Sequence, residues 1–138
     1  MEEGGLAMKI VIAGGTGLVG RRLQTLLKQK QAEIIILTSS GDNKVEDDVR
    51  YVKWMDGTIP DGLEEATAFI NLAGVSLNAG RWTPKQKEKI LSSRINSTNE
   101  IIRIMQSLKN KPSVFINASA VGIYKPSDKD VYTEQHEV

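Results

Sequence analysis

Gly14, Gly17 and Gly20 stand three residues apart, directly after the apolar run Ile10-Val-Ile-Ala13. The whole segment, Gly14-Gly15-Thr16-Gly17-Leu18-Val19-Gly20, reads as a turn that leads from a strand into a helix. Gly14 permits a sharp turn off the strand, Gly17 lets the backbone approach a pyrophosphate, and Gly20 lets the helix pack close to the sheet. An anion would rest on the N–H groups of the helix N-terminus. The chemistry on offer is the binding of a dinucleotide. A glycine triplet alone also fits a tight packing turn, so the argument depends on the elements around it.

The other residue types narrow the possibilities. The chain has no cysteine, which removes disulfides, thiolate metal sites and cysteine nucleophiles together. A single histidine, His136, gives a histidine-based metal site or a Ser-His triad little to draw on. The 18 basic and 17 acidic residues leave a net charge of +1, without the basic patch that would point to nucleic acid or anionic lipid. No stretch is long and apolar enough to span a membrane, and the N-terminus lacks the regions of a signal peptide, so the expectation is a cytoplasmic protein. With 138 residues, 40% of them hydrophobic, one sizeable core is the default. Met8 precedes the first strand directly, so residues 1–7 read as a leader or an appended scar and residues 8–138 as one domain.

The elements that would position the glycine turn follow in order. Ile10-Val-Ile-Ala13 is β-branched and unbroken, as a parallel strand buried on both faces should be. In the helix after it, Val19, Leu23, Leu26 and Leu27 form the apolar face, with Arg21, Arg22, Gln24 and Lys28 elsewhere. Glu33-Ile-Ile-Ile-Leu-Thr-Ser39 is the second strand. After a polar loop from Gly41 to Asp48, Arg50-Tyr-Val-Lys-Trp-Met55 is the third. A short helix over Asp61–Ala66 leads into the fourth, Ala68-Phe-Ile-Asn-Leu-Ala73. A long helix starts at the cap Thr83, with Pro84 at its first position and Gln86 completing a capping box, and runs to about Lys109. Leu91, Ile95, Thr98, Ile102 and Met105 line its apolar stripe, which Ile101, Ile104 and Leu108 widen. Ser113-Val-Phe-Ile-Asn-Ala118 is the fifth strand. Strands alternating with helices predict an α/β fold, a doubly wound parallel sheet in three α/β/α layers. Counted in chain order, the strands should lie 3-2-1-4-5, with the ligand crevice at the carboxyl ends of strands 1 and 4.

Four segments then carry a resemblance: Gly14-Gly-Thr-Gly17-Leu-Val-Gly20, Asn71-Leu-Ala-Gly74, Ser76-Leu-Asn-Ala-Gly-Arg-Trp-Thr83 and Asn117-Ala-Ser-Ala-Val-Gly-Ile-Tyr124. In order and spacing they resemble the extended short-chain dehydrogenase/reductases. The segment Gly80-Arg-Trp-Thr83, with Ser93-Arg94 and Ser119-Ala-Val-Gly122, is most similar to an atypical branch of NAD-dependent epimerase/dehydratase, or nucleoside-diphosphate-sugar epimerase, family proteins. The resemblance covers residues 8 to 134 and implies a Rossmann domain that binds NAD or NADP. It further implies a C-terminal portion, beyond this chain, that holds a nucleotide-sugar substrate. The fifth strand would then keep an open edge and an apolar stripe around Ile101, Ile104 and Leu108 would lie uncovered, so the chain should self-associate.

Family catalysis uses a Tyr-x-x-x-Lys pair, whose lysine favours a phenolate able to take a proton from a substrate hydroxyl. No tyrosine here has a lysine four positions on: Tyr51 is followed at that distance by Met55, Tyr124 by Asp128 and Tyr132 by His136. The hydroxyl expected four residues before Tyr124 is replaced by Ala120, and Ser119 lies one residue away. Ser119 would either face the nicotinamide or satisfy backbone groups at the strand end. Arg94 stands where typical members have Asn. The expected function is therefore an NAD(P)-binding domain of an epimerase, dehydratase or reductase that is not catalytic alone. The alternative is a non-catalytic NADPH-sensing or interaction domain.

For the cofactor, the tip of the second strand reads Thr38-Ser39-Ser40. An acidic residue there would accept both ribose hydroxyls of NAD and repel a 2′-phosphate. Its absence, with Arg21 or Arg22 nearby, favours NADP(H) over NAD(H), and Asp42 is the residue that could reverse this. Asp56 matches a family position near the adenine, or caps the turn Asp56-Gly57. Leu72, Ala73 and Gly74 supply small groups where backbone must approach the adenosine ribose. Arg81 and Trp82 either contact a sugar-nucleotide phosphate and base, or Trp82 anchors its loop.

Overall fold

The computed structural model describes residues 7–78, 80–120 and 123–138. All but Ala7 of the expected leader lies outside them, as do Ala79, Val121 and Gly122 of the motifs above. Six strands and two helices follow in the order β1 (Lys9–Ala13), α1 (Leu18–Gln29), β2 (Glu33–Thr38), β3 (Lys44–Glu46), β4 (Val49–Lys53), β5 (Ala68–Asn71), α2 (Pro84–Ser107) and β6 (Val114–Asn117). They form one sheet in the order β3-β4-β2-β1-β5-β6. Every pairing is parallel except β3 with β4. The five expected strands thus hold their expected order, and β3 is added outside them.

The period of two along a strand explains why β1 and β2 had to be continuously apolar. Val11, Ala13, Ile35 and Leu37 point to one side, where they pack with Phe69, Trp54, Leu63, Ile101, Ile104 and Leu108. Ile10, Ile12, Ile34 and Ile36 point to the other, where Leu23 and Leu27 of α1 cover them with Ile70 and Val49. In-register pairs such as Val11 with Ile35 and with Phe69 hold these two half-cores in line. The result is the three-layer arrangement.

Several local expectations are corrected. The polar loop contains β3, a fully exposed Lys-Val-Glu strand joined to β4 by Asp47 and Asp48, both at positive φ. Such two-residue turns match the strand twist, and a short charged strand is a usual way to blunt a sheet edge. No helix forms over 61–66, because Gly62 (φ 82°) and Glu65 (φ 63°) interrupt it. Met55, at φ 66°, ends the third expected strand early.

Thr83 does cap α2, its side chain accepting from the Gln86 N–H at 3.1 Å. The reciprocal half of the box is absent, since the Thr83 N–H donates to the Arg81 carbonyl at 2.9 Å. The helix stops at Ser107, where Leu108 turns extended.

The apolar faces also shift. On α1 the covered residues are Gly20, Leu23, Gln24 and Leu27, while Val19 and Leu26 face outward. On α2 the stripe around Ile101, Ile104 and Leu108 is buried, not uncovered. Leu91, Ile95 and Ile102 are the exposed residues, together with Val114, Phe115 and Ile116 of β6. The reason is the crossing of α2 over β5: it presents the 97, 101, 104 and 108 face to the sheet and turns the 91, 95 and 102 face away.

Candidate dinucleotide cleft

The carboxyl ends of β1, β2 and β5 meet a cleft of about 390 Å³. Its floor and walls are Gly14 and Thr16 after β1, Leu37 to Ser40 at the tip of β2, Trp54 and Met55 after β4, Ala73 to Val75 after β5, and Ser93, Asn96 and Ser97 of α2. This is where the sheet order reverses between β1 and β5, the place where open α/β sheets bind ligands.

The glycines hold this cleft open by three different contacts. Gly14 has φ 75°, and a β-carbon there would lie 2.5 Å from the Leu72 carbonyl carbon. A β-carbon on Gly20 would lie 2.5 Å from Gly15 Cα, so α1 rides directly on the turn. One on Gly17 would meet only the Gly14 oxygen, at 3.6 Å. The backbone at Gly17 is therefore open to close approach from outside the protein. Gly17 caps α1 without any side-chain hydrogen bond, and no acidic residue lies in the first turn. The unpaired N–H groups and the positive end of the helix dipole thus lie at this opening. Gln24, buried on α1, donates from Nε2 to the Gly15 carbonyl at 2.7 Å and fixes the turn from below.

The wall after β5 is built around Asn71. Its Nδ2 donates to Asn117 Oδ1 at 2.8 Å and to Thr98 Oγ1 at 3.4 Å, while its Oδ1 accepts from the Ala73 N–H at 3.1 Å. One buried side chain thereby joins β5, β6, α2 and the loop that enters the cleft. Ser93 Oγ accepts from the Val75 N–H at 3.0 Å. The Arg94 guanidinium lies against Gly74, where a β-carbon would come within 3.0 Å of it. At the tip of β2, Thr38 Oγ1 donates to the Ser40 carbonyl at 3.1 Å and accepts from the Ser40 N–H at 3.3 Å.

Of the residues singled out in the sequence, Gly14, Thr16, Thr38, Ser39, Ser40, Ala73 and Gly74 line the cleft together. Gly15, Gly17 and Gly20 shape its turn, Leu18 and Val19 begin α1 with exposed side chains, and Leu72 packs on the α1-side core. Asp56 lies in a neighbouring groove with Asp42, Asn43 and Arg50. Its Oδ1 accepts from Thr58 Oγ1 at 2.7 Å and from the Thr58 N–H at 3.1 Å. These bonds hold its carboxyl below the usual carboxylate range.

Arg81 and Ser119 are exposed and are not among the residues that line the cleft. Trp82 is 57% exposed, yet its indole N–H donates to the Leu77 carbonyl at 2.8 Å and ties the loop. Sequence reasoning used Ser93 only as part of the Ser93-Arg94 resemblance and did not place Ser93, Asn96 or Ser97 in the cleft. Their i, i+3, i+4 spacing puts them on one helical face, the signal that could have found them. Asn71 and Asn117 end two strands in register. Among the described residues no cluster of side chains suits a metal ion, and no helix is long and apolar enough to cross a membrane.

Comparison with known proteins agrees with this geometry. A family model described as the NAD dependent epimerase/dehydratase family matches residues 10–138. The epimerase family protein YfhF of Bacillus subtilis is 42% identical over 129 residues, covering 92% of this chain and 42% of that protein. The chain thus spans about two-fifths of the length of the curated relatives it matches. Among solved structures, the human epimerase family protein SDR39U1, determined with NADPH, has a TM-score of 0.80 at 24% identity over 94% of this chain and 42% of that one. The UDP-N-acetylglucosamine 4-epimerase of Bacillus cereus has a TM-score of 0.67 at 23% identity, covering 94% of this chain and 41% of its own. The chain belongs to the NAD dependent epimerase/dehydratase family, and what it spans is that family's dinucleotide-binding Rossmann domain.

Proposed function

We propose that residues 8–138 form a domain that binds NADP(H) in preference to NAD(H), and that it serves a protein acting on nucleotide sugars by epimerisation, dehydration or reduction. The observation that carries the binding is the open backbone at Gly17, at the uncapped N-terminus of α1, one residue after Thr16 of the cleft that lies beyond β1, β2 and β5. The tip of β2 offers hydroxyls and no carboxylate, which suits a 2′-phosphate. In this reading Gly14 to Gly20 hold the pyrophosphate, Thr38 to Ser40 the adenosine ribose and its phosphate, and Leu72 to Gly74 the opposite wall. Asp56 stands near the adenine end. The human relative bound to NADPH supports the choice of cofactor, and the Bacillus cereus 4-epimerase supports the substrate class.

When bound, the nicotinamide supplies a site for hydride exchange. The residues of this chain contribute binding, orientation and a dry wall formed by Trp54, Leu37 and Ala73. Without a Tyr-x-x-x-Lys pair, the chain by itself binds and does not turn over substrate, with Ser119 as the hydroxyl nearest in sequence to the expected reacting position. Arg81 and Trp82 would meet the sugar nucleotide from the loop before α2. The exposed apolar residues of α2 and β6 make self-association the expected behaviour of the isolated chain.

Parallel calorimetric titrations with NADPH and NADH test the central claim, with Gly17→Asp as control. Binding by the wild type that is lost in the variant supports the cradle. Equal titration of both proteins, or no binding by either, refutes it.

A further inference from the structure

The tip of β2 borders a second groove, of about 460 Å³, lined by Thr16, Thr38, Ser40, Gly41, Asp42, Lys44 and Tyr51. Thr16, Thr38 and Ser40 line the main cleft as well, so these three residues form a wall common to the two spaces at the end of β2. Lys44 is the only cation in this lining. Its place is fixed by the strand that sequence reasoning did not foresee: the antiparallel register of β3 on β4 sets Lys44 opposite Tyr51. There its ammonium lies 5.1 Å from the centre of the Tyr51 ring and 2.6 Å from Glu46 Oε2. Both partners leave N–H donors free, because an ammonium has three.

We propose that Lys44, carried to the groove by β3, reads the 2′-phosphate of the bound dinucleotide and sets the preference for NADP(H) over NAD(H). The inference rests on the reading of the main cleft as an NADP(H) site. Hydroxyls of Thr38 and Ser40 provide neutral donors at the tip of β2, and Lys44 provides the charge that hydroxyls lack. A dianionic phosphate competes with the single carboxylate of Glu46 for an exposed ammonium, so Lys44 swings between the two. Asp42, on the same lining, opposes the phosphate and limits the preference. Arg21 and Arg22 do not line this groove.

The test measures affinity for NADPH, NADH, 2′,5′-ADP and 5′-AMP by calorimetry in wild type, Lys44→Ala, Lys44→Arg and Asp42→Asn. A charge-assisted contact at an exposed site predicts that Lys44→Ala weakens NADPH and 2′,5′-ADP about tenfold and leaves NADH and 5′-AMP unchanged. Lys44→Arg should retain most of the preference, and Asp42→Asn should raise it. The loss in Lys44→Ala should shrink as salt rises, because the contact is screened. A wild type that prefers the phosphorylated ligands, with the same preference in Lys44→Ala, overturns the role of Lys44 alone. A wild type with no such preference overturns the NADP(H) reading and this inference together. A melting temperature for each variant separates lost recognition from lost fold.

Discussion

Replacing Gly20 by alanine tests whether close approach of α1 to the turn, rather than ligand contact, is what this position serves. The new β-carbon would stand 2.5 Å from Gly15 Cα and from Gly15 O, and 2.6 Å from Gly15 C. All three are backbone atoms, so no side chain can rotate away. The helix must move outward by about 1 Å, a displacement of the kind that costs about 2–3 kcal/mol when a packed core is overfilled. The same movement stretches the 2.7 Å bond from Gln24 to Gly15, and losing it costs about 1 kcal/mol. Alanine recovers about 1 kcal/mol through helix propensity. The net loss of about 2–3 kcal/mol should lower the melting temperature by roughly 7–10 °C in a domain of this size.

Gly17→Ala is the matched control. Its β-carbon meets only the Gly14 oxygen, at 3.6 Å, and Gly17 sits at φ −74° and ψ −179°, which alanine adopts freely. Its melting temperature should stay within about 2 °C of wild type, while dinucleotide binding weakens. Thermal unfolding followed by circular dichroism reads both variants. A Gly20→Ala protein as stable as wild type, or a Gly17→Ala protein that loses as much as Gly20→Ala, would refute the assignment of these two glycines to different tasks.

The remaining expectations concern the sheet's far side. Glu64 accepts from the Asn110 N–H at 2.8 Å and the Lys109 N–H at 3.0 Å, so its two oxygens fasten the turn between α2 and β6. These backbone donors, Asn110 first, hold its carboxyl below the ordinary value of 4.5. The stabilisation is therefore complete above that value and is lost as pH falls through the lower folded value. Glu64→Gln should melt below wild type at about pH 7, with the gap closing by about pH 3, and a gap independent of pH would contradict the carboxylate's role. For the apolar face, sedimentation should show concentration-dependent association of the wild type, reduced by Ile95→Glu together with Ile116→Glu. A wild-type monomer at high concentration would count against self-association.

The core strands were legible because a strand buried on both faces must be apolar at every position, and β1 and β2 are. The glycine turn was legible because its spacing answers to steric demands that are local to the chain. The start of α2 was legible for the same reason: Thr83 and Pro84 act within one turn. The edge strand β3 was not. Lys44–Glu46 is a polar triplet with no apolar signal, and it becomes a strand only because β4 offers it a free edge and two aspartates turn the chain back. The faces of α2 were misjudged because its apolar residues occupy more of the surface than one contact can bury. Which of them are covered depends on how the helix crosses β5.

The same division holds in the cleft. Sequence by itself determined the dinucleotide turn, the carboxylate-free tip of β2 and the missing tyrosine–lysine pair, since each is a matter of residue type at fixed local spacing. Only the tertiary structure brought Ser93, Asn96 and Ser97 to the wall after β5, buried Asn71 as the joint between four segments, and set Lys44 on a groove that Thr38 and Ser40 also line. Ser93 lies 18 positions from Val75 and Asn117 lies 46 from Asn71, while Lys44 is near Ser40 in sequence but is placed by the register of β3 on β4, so strand register and helix packing decide all three.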